Sequence, residues 1–132
     1  MVCRMGWMDW ATWLWRKETA GAKAERVAAG YLRKAGMRVL ARNVQCEKGE
    51  LDIVAMEGQT LVFVEVRGRG SEEFGTPEMS IGAVKREHVL RAAKWFVRRR
   101  RLGGMAVRFD VVAVVDVEGR REVRHHRNAF GE

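Results

Sequence analysis

Two apolar runs on either side of a short polar turn constrain the fold of this chain more than any other feature. The runs occupy residues 50–56 and 60–67, and the turn between them is Glu57-Gly58-Gln59. A glycine-containing turn of this length between such runs is typical of a β-hairpin. The second run is apolar enough for a central strand, which is covered on both faces of a sheet. We therefore expect a sheet flanked by helices.

The rest of the pattern predicts two helices and at least two more strands. Helical spacing covers residues 18–35 and ends at Gly36, and a second helix is expected from a Ser80 cap to about Arg101, where Gly103-Gly104 ends it. Strands are expected at 37–44 and 107–117, with residues 120–132 as a candidate edge strand. The predicted order is α-β-β-β-α-β, in one α/β domain of residues 18–132.

A tryptophan-rich extension, residues 1–17, precedes this domain. It holds four of the five tryptophans of the chain within GWMDWATWLW, residues 6–15. One interpretation is a docking element for a partner or a membrane surface. The other is a loose end, or one whose indoles pack back on the domain.

Composition narrows the class of protein and its partners. The chain has 132 residues and a formal charge of +8, so it should attract polyanions, with nucleic acid as the first candidate and anionic membrane as the second. Two cysteines are too few for a disulfide framework, and no run is long enough to span a membrane. A cytoplasmic location is expected, because free thiols suit a reducing compartment.

Acidic residues stand inside the two apolar runs of the hairpin. Glu50 and Asp52 share one face of the first strand, and Glu65 and Arg67 share one face of the second. Pairing about Gly58-Gln59 brings Asp52 and Glu65 close together across the ladder. Neighbouring carboxylates repel each other, and a divalent cation such as Mg²⁺ relieves that repulsion. The alternative is a set of salt bridges, in which Glu65 pairs with Arg67 or with a helix cation.

Charged residues elsewhere have structural explanations beside functional ones. The run Arg98-Arg99-Arg100-Arg101 could track a phosphate backbone, or form a solvated helix end. Asp110 is expected to pair with Arg108 or with a helix cation. The histidines are expected to be surface or local hydrogen-bonding groups, and these are His88, His125 and His126. Three further cations are expected to be ordinary solvated side chains unless they line the cleft, and these are Lys34, Arg38 and Arg42.

Several blocks of the sequence together resemble a known family. In chain order they are GAKAERVAAGYLRKAGMRVLARN, GELDIVA, LVFVEVRGR, FGTPEMSI with a following lysine, RFDVVAV and RNAF. Their order and spacing from Gly21 to Phe130 resemble the YraN-type uncharacterised proteins. That resemblance implies a restriction-endonuclease-like fold of three layers, with a mixed central sheet flanked by helices, similar to the archaeal Holliday-junction resolvases.

The resemblance also assigns roles at matching positions. It implies that Asp52 and Glu65 bind Mg²⁺ or Mn²⁺ together with the main-chain carbonyl of Val66, and that Glu25 on the first helix contacts the metal through water. Glu50 supports the site. Arg67 stands where the family has lysine, and arginine cannot shed a proton as lysine can. Three interpretations stay open: Arg67 acts with reduced activity, Lys85 supplies the ammonium instead, or the site binds nucleic acid without cutting it.

The function expected from the sequence is a metal-dependent endonuclease that acts on or binds branched DNA. The alternative is a weakened or inactive nucleic-acid-binding protein that keeps the nuclease fold. Contacts to nucleic acid are expected from Arg69, Arg98, Arg99, Arg100 and Arg101. By analogy with the resolvases, which make two symmetric cuts, the protein is expected to form a homodimer.

Overall fold

A computed structural model describes residues 19–47, 49–69 and 81–131 of the chain. The tryptophan-rich extension and Ser80 lie outside the described residues. The elements, in chain order, are α1 (Ala20–Lys34), β1 (Arg38–Cys46), β2 (Gly49–Glu57), β3 (Thr60–Arg69), α2 (Ala83–Arg99), β4 (Ala106–Val117) and β5 (Arg120–Phe130).

The five strands form one mixed sheet in the order β1-β2-β3-β4-β5. Neighbouring strands are antiparallel except β3 and β4, which are parallel and are joined through α2. The predicted α/β class and order α-β-β-β-α-β are confirmed, and the tail adds β5 as an edge strand. β3 lies at the centre, as its apolar sequence predicts.

The two helices cover opposite faces of the sheet. Along β3, Val62 and Val64 belong to the core under α1, whereas Leu61 and Phe63 belong to the core under α2. This alternation follows from the two-residue period of a strand. The described chain therefore has three layers, with both faces of β3 buried.

Helix α1 begins and ends at recognisable signals. The hydroxyl of Thr19 accepts a hydrogen bond from the N–H of Ala22 at 3.0 Å, which caps the first turn. After the helix, Gly36 adopts a φ of 94°, a conformation that glycine adopts without strain. Glu25 lies in the buried face of this helix with only 7% of its surface exposed.

Helix α2 is shorter than the sequence predicts. It begins at Ala83 after an extended Gly82, with no side-chain cap, and it ends at Arg99. Arg101 has a φ of 54°, so the chain has already left the helical conformation before Gly103-Gly104. The helix therefore ends two residues before the predicted Arg101, and Gly103-Gly104 follow after the chain has already turned. No helix of the described ranges has the length and apolar character that crossing a bilayer requires.

Candidate functional site

The β2–β3 ladder ends where the acidic residues begin. Its pairs run from Glu57 opposite Thr60 to Ile53 opposite Val64, which is the register predicted from pairing about Gly58-Gln59. One step further, the N–H of Val66 donates a hydrogen bond to Oδ2 of Asp52 at 2.9 Å. The carboxylate of Asp52 thus takes the place of a strand partner. In a strand, the N–H and C=O of one residue point to the same side, so the carbonyl of Val66 also faces β2.

Glu65 is a buried carboxyl that two cations approach. It is 2% exposed, with Oε1 at 3.3 Å from Nζ of Lys85 on α2 and at 3.9 Å from a terminal nitrogen of Arg67. Burial raises the pKa of Glu65 to about 8, and the charge of Asp52 adds to that rise while Lys85 and Arg67 oppose it. The cations therefore do not offset the cost of holding an ionised Glu65 in this place.

Glu25 reaches the same region from α1. Its Oε1 lies 3.5 Å from Nε of Arg42, yet both atoms are buried and neither makes a hydrogen bond. Burial raises the pKa of Glu25 to about 7, and the nearby charge of Asp52 contributes to the rise. Arg42 is expected to be solvated unless it lines the cleft. Its side chain is 34% exposed, but its Nε is turned inward toward Glu25.

A glycine in β3 lets α1 come close enough to place Glu25. A Cβ atom on Gly68 would lie 2.8 Å from the Cβ of Ala24, closer than real Cβ atoms come to a neighbour. Only a residue without a side chain allows this approach. The close contact positions the first turns of α1, and Glu25 with them, over the end of β3.

An acidic cleft of about 670 Å³ opens between α1 and the sheet. Glu25, Glu50 and Asp52 line it together with Val66, and Asp116 adds a fourth acid. Glu65 does not line this cleft, because its side chain lies with Lys85 on the α2 side. The structure thus brings Glu25, Glu50 and Asp52 into one cleft, with Glu65 close enough to Asp52 for their charges to interact.

The donors at this site are carboxylates and a main-chain carbonyl, which are the ligands that Mg²⁺ and Mn²⁺ prefer. Across residues 19–47, 49–69 and 81–131, no three His, Cys, Asp or Glu side chains are grouped so that they could hold a metal by themselves. A site built here would have to complete its coordination with main-chain oxygen and water. Mg²⁺ commonly binds in this way, through one or two carboxylates.

The predicted nucleic-acid contacts lie elsewhere. Arg69 ends β3, and its side chain is outside the described part of the structure. The side chains of Arg98, Arg99, Arg100 and Arg101 are exposed at the end of α2, and the guanidinium of Arg100 lies 5.0 Å from the ring centre of Phe96. Their exposure fits both predicted roles, the phosphate contact and the solvated helix end.

A second polar network stabilises the sheet between β4 and β5. Asp110 is fully buried and accepts two hydrogen bonds from Arg108, one from His125 and one from the N–H of Asn128. Burial would raise the pKa of Asp110, but these hydrogen bonds hold it far below its usual range. The predicted pairing of Asp110 with Arg108 is confirmed. His125 lies opposite Val112 in the regular part of the β4–β5 ladder, whereas Asn128 lies at an irregularity of that ladder, which no local sequence signal predicts.

Comparison with known proteins gives one consistent family. A family model described as "Uncharacterised protein family UPF0102" matches residues 24–114. A "UPF0102 protein" of Syntrophotalea carbinolica is 43% identical over 116 residues, which cover 88% of this chain and 94% of the relative. A "UPF0102 protein" of Moorella thermoacetica is 47% identical over 94 residues, which cover 71% of this chain and 78% of the relative.

A third relative, a "UPF0102 protein" of Nocardia farcinica, is 41% identical over 113 residues, which cover 86% of this chain and 89% of the relative. The resemblance to the YraN-type proteins is thereby confirmed. The matched segment includes Glu25, Asp52, Glu65, Arg67 and Lys85.

Proposed function

Since the chain belongs to the uncharacterised protein family UPF0102, whose name assigns no activity, we propose a function from the site itself: a metal-dependent phosphodiesterase acting on nucleic acid. The proposal includes a restriction-endonuclease-like fold. The three layers, the mixed sheet and the acids at the end of a central hairpin support that assignment.

The observation that carries the proposal is the convergence of buried carboxyl groups around Asp52. Glu25 and Glu65 approach Asp52 from two different faces of the sheet, and burial raises the pKa of both. A stabilising salt bridge would instead hold the pKa of Glu65 below its usual value. The neighbouring cations therefore compensate these carboxyl groups only in part, and a hard divalent cation would favour their ionised forms.

In this proposal Asp52 and Glu65 would hold Mg²⁺ or Mn²⁺ with the carbonyl of Val66. Glu25 and Glu50 would orient water in the cleft. When bound, such an ion lowers the pKa of a water and neutralises charge on a phosphodiester. The N–H of Val66 keeps the carboxylate of Asp52 in one orientation, which is the kind of support that positions a ligand before substrate arrives.

Lys85 is the better-placed of the two cations for the role that lysine has in related nucleases. Its Nζ lies 3.3 Å from Glu65, whereas Arg67 approaches to 3.9 Å. Lys85 can give up a proton, and Arg67 cannot. The side chain of Arg67 is 29% exposed, so part of it is accessible to a phosphate oxygen. We assign the ammonium role to Lys85 and the phosphate contact to Arg67.

The second candidate function is binding of nucleic acid without cleavage. It is favoured by the two ion pairs of Glu65, because a carboxyl held by Lys85 and Arg67 has a partner without any metal. Arg67→Lys discriminates between the two functions. A gain of cleavage identifies a nuclease weakened at this position, and a variant that still does not cut supports binding alone.

The substrate class follows from the basic surface and from the resemblance. Branched DNA is the proposed target, and symmetric cutting of such DNA would require a homodimer, which sedimentation of the purified protein can test. A cytoplasmic location accompanies this proposal.

The direct test is incubation of the purified protein with branched, single-stranded and duplex DNA and RNA, with Mg²⁺, Mn²⁺ or a chelator. We expect cleavage with metal, and its loss in Asp52→Asn and Glu65→Gln. Arg86→Gln on the exposed surface of α2 serves as the matched control and should cut normally. Equal cutting by all four proteins would mean that another nuclease contaminates them, and no cutting on any substrate would reject the catalytic proposal.

A further inference from the structure

A groove lined by aromatic and apolar side chains lies on the α2 face of the sheet, apart from the acidic cleft. We call it the aromatic groove. It has a volume of about 410 Å³ and lies between the second half of α2 and the neighbouring parts of β4 and β5. Its apolar lining includes Leu90, Val97, Val107, Phe109 and Phe130. None of these residues belongs to the acidic site described above.

Three phenyl rings form a stack that ends in this groove. The rings of Phe63 and Phe109 lie 5.5 Å apart at 23°, and those of Phe109 and Phe130 lie 5.3 Å apart at 29°. Phe63 is 1% exposed and Phe109 is 9% exposed, whereas Phe130 is only half-buried. The stack therefore has a closed inner end and an outer ring that is accessible from the groove. A flat aromatic group is the shape that continues such a stack.

The rim of the groove is basic. Lys94 and Arg98 line it from α2, both exposed, and no acidic residue is part of the lining. Asn128 also lines the groove with an exposed side-chain amide, which carries both donors and an acceptor. The groove thus combines a stacking surface, two positive charges and one neutral hydrogen-bonding group.

We propose that the aromatic groove binds an unpaired nucleotide of a nucleic-acid strand. The base would stack toward Phe130, its edge would reach Asn128, and the flanking phosphates would contact Lys94 and Arg98. A neutral apolar peptide would contact the rings but not the two cations, and a free phosphate would contact the cations but not the rings. Aromatic stacking combined with a positively charged path is the usual way in which proteins hold single strands.

The helix connects this groove to the acidic site. Lys85 contacts Glu65 near the start of α2, and Arg98 lines the groove thirteen residues later, a distance of about 20 Å along a helix. Arg91, which is ion-paired with Glu87, and Lys94 lie at helical spacing before Arg98, on a side of the helix different from that of Lys85. That the bound strand is also the strand acted on at Asp52 rests on the proposed function, whereas binding of a nucleotide in the groove does not.

The test measures binding without cleavage. A fluorescent oligothymidine, an oligomer of equal charge that lacks its bases, and a duplex are titrated with the full-length protein in a chelator, by anisotropy. We expect the affinity to be highest for oligothymidine, lower for the duplex and lowest for the oligomer without bases. Stacking of one base contributes about 1–3 kcal/mol, so Phe130→Leu should weaken oligothymidine binding by about 5- to 150-fold while Phe130→Trp retains it. Equal affinity for the oligomers with and without bases would overturn the proposal.

A matched pair of charge variants separates the groove from general attraction. Lys94→Gln with Arg98→Gln should weaken binding and reduce its salt dependence. Arg33→Gln with Lys34→Gln removes the same charge from exposed positions at the end of α1, on the other face of the sheet, and should change binding far less. If both pairs lose affinity equally, only net charge matters and the groove is not the site.

Two further arms separate the alternatives. The groove would be assigned to lipid instead if anionic lipid vesicles bind the protein in a Phe130-dependent manner and Phe130→Leu leaves oligothymidine binding unaffected. If no substrate is cut under any condition and groove binding persists, the proposed phosphodiesterase fails and the nucleotide site stands. If cutting occurs and the groove variants bind normally, the nucleotide site fails alone.

Discussion

Replacing Glu65 with glutamine separates a metal site from a structural salt bridge, because the two predict opposite changes in stability. Glutamine keeps the size of the side chain and an oxygen that can accept from Lys85, and it removes the buried charge. In the metal-free protein the pKa of Glu65 rises from 4.5 to about 8 on folding. The folded state therefore binds this proton more tightly than the unfolded state, and stability falls as pH rises from 4.5 toward 8.

The size of the effect follows from that rise. At about 1.4 kcal/mol for each tenfold change in proton affinity, ionisation of Glu65 costs at most about 5 kcal/mol above pH 8. Glu65→Gln removes this cost, and the opposing charges of Lys85 and Arg67 are already included in it, because they lower the pKa of Glu65. The expected gain is therefore at most about 5 kcal/mol near pH 8 and close to zero near pH 4.5.

Urea denaturation with a chelator measures this gain, at several values of pH between the two limits. Mn²⁺ added near pH 8 should then stabilise the wild-type protein and leave Glu65→Gln unchanged, because ligand binding stabilises only the form that binds. A loss of stability in Glu65→Gln that is as large near pH 8 as near pH 4.5 would refute the reasoning. That result would mean that the ion pairs of Glu65 outweigh its burial.

Three further predictions test the surroundings of the site. In urea denaturation, Gly68→Ala should destabilise the protein by about 1–3 kcal/mol, because the added Cβ meets Ala24, and it should impair the acidic site. Gly30→Ala in α1 places its Cβ in open space and should instead stabilise the protein by up to about 1 kcal/mol. Asp110→Asn should lower the free energy of unfolding by about 3–5 kcal/mol near neutral pH in the same assay, because it breaks a buried charge pair. An equal loss of stability in Asp116→Asn, at an exposed position, would contradict this prediction. The contribution of Asp110 is full above its ordinary pKa of 3.8 and disappears only as pH falls well below it, because folding lowers that pKa. Lys85→Gln should lower the rate of DNA cleavage more than Arg67→Gln does, and the opposite order in single-turnover rates would give the ammonium role to Arg67.

The hairpin is the part of the fold that the sequence predicts best. Its short turn leaves one natural register, and that register brings Asp52 near Glu65. The class and order of the elements follow from apolar periodicity in the same way. Each of these features depends on residues that are close together in the chain, so local patterns contain the information.

The parts that could not be predicted depend on contacts between distant elements. The pairing of Glu65 with Lys85 requires α2 to pack on a particular face of β3, and the contact of Arg42 with Glu25 requires the same of α1 and β1. The hydrogen bond from the N–H of Asn128 to Asp110 depends on an irregularity of the β4–β5 ladder at Asn128, which has a φ of 52°. The end of α2 at Arg99 is set by the left-handed Arg101, a conformation that is uncommon for arginine.

If Asp52 and Glu65 share a divalent cation, a crystal soaked in Mn²⁺ and measured for anomalous scattering should reveal it. We expect a single strong peak in contact with the carboxylates of Asp52 and Glu65 and the carbonyl of Val66, absent from Asp52→Asn crystals. A soaked crystal with no peak there, and with Lys85 still on Glu65, would mean that the acids form a buried ion-pair cluster and not a metal site.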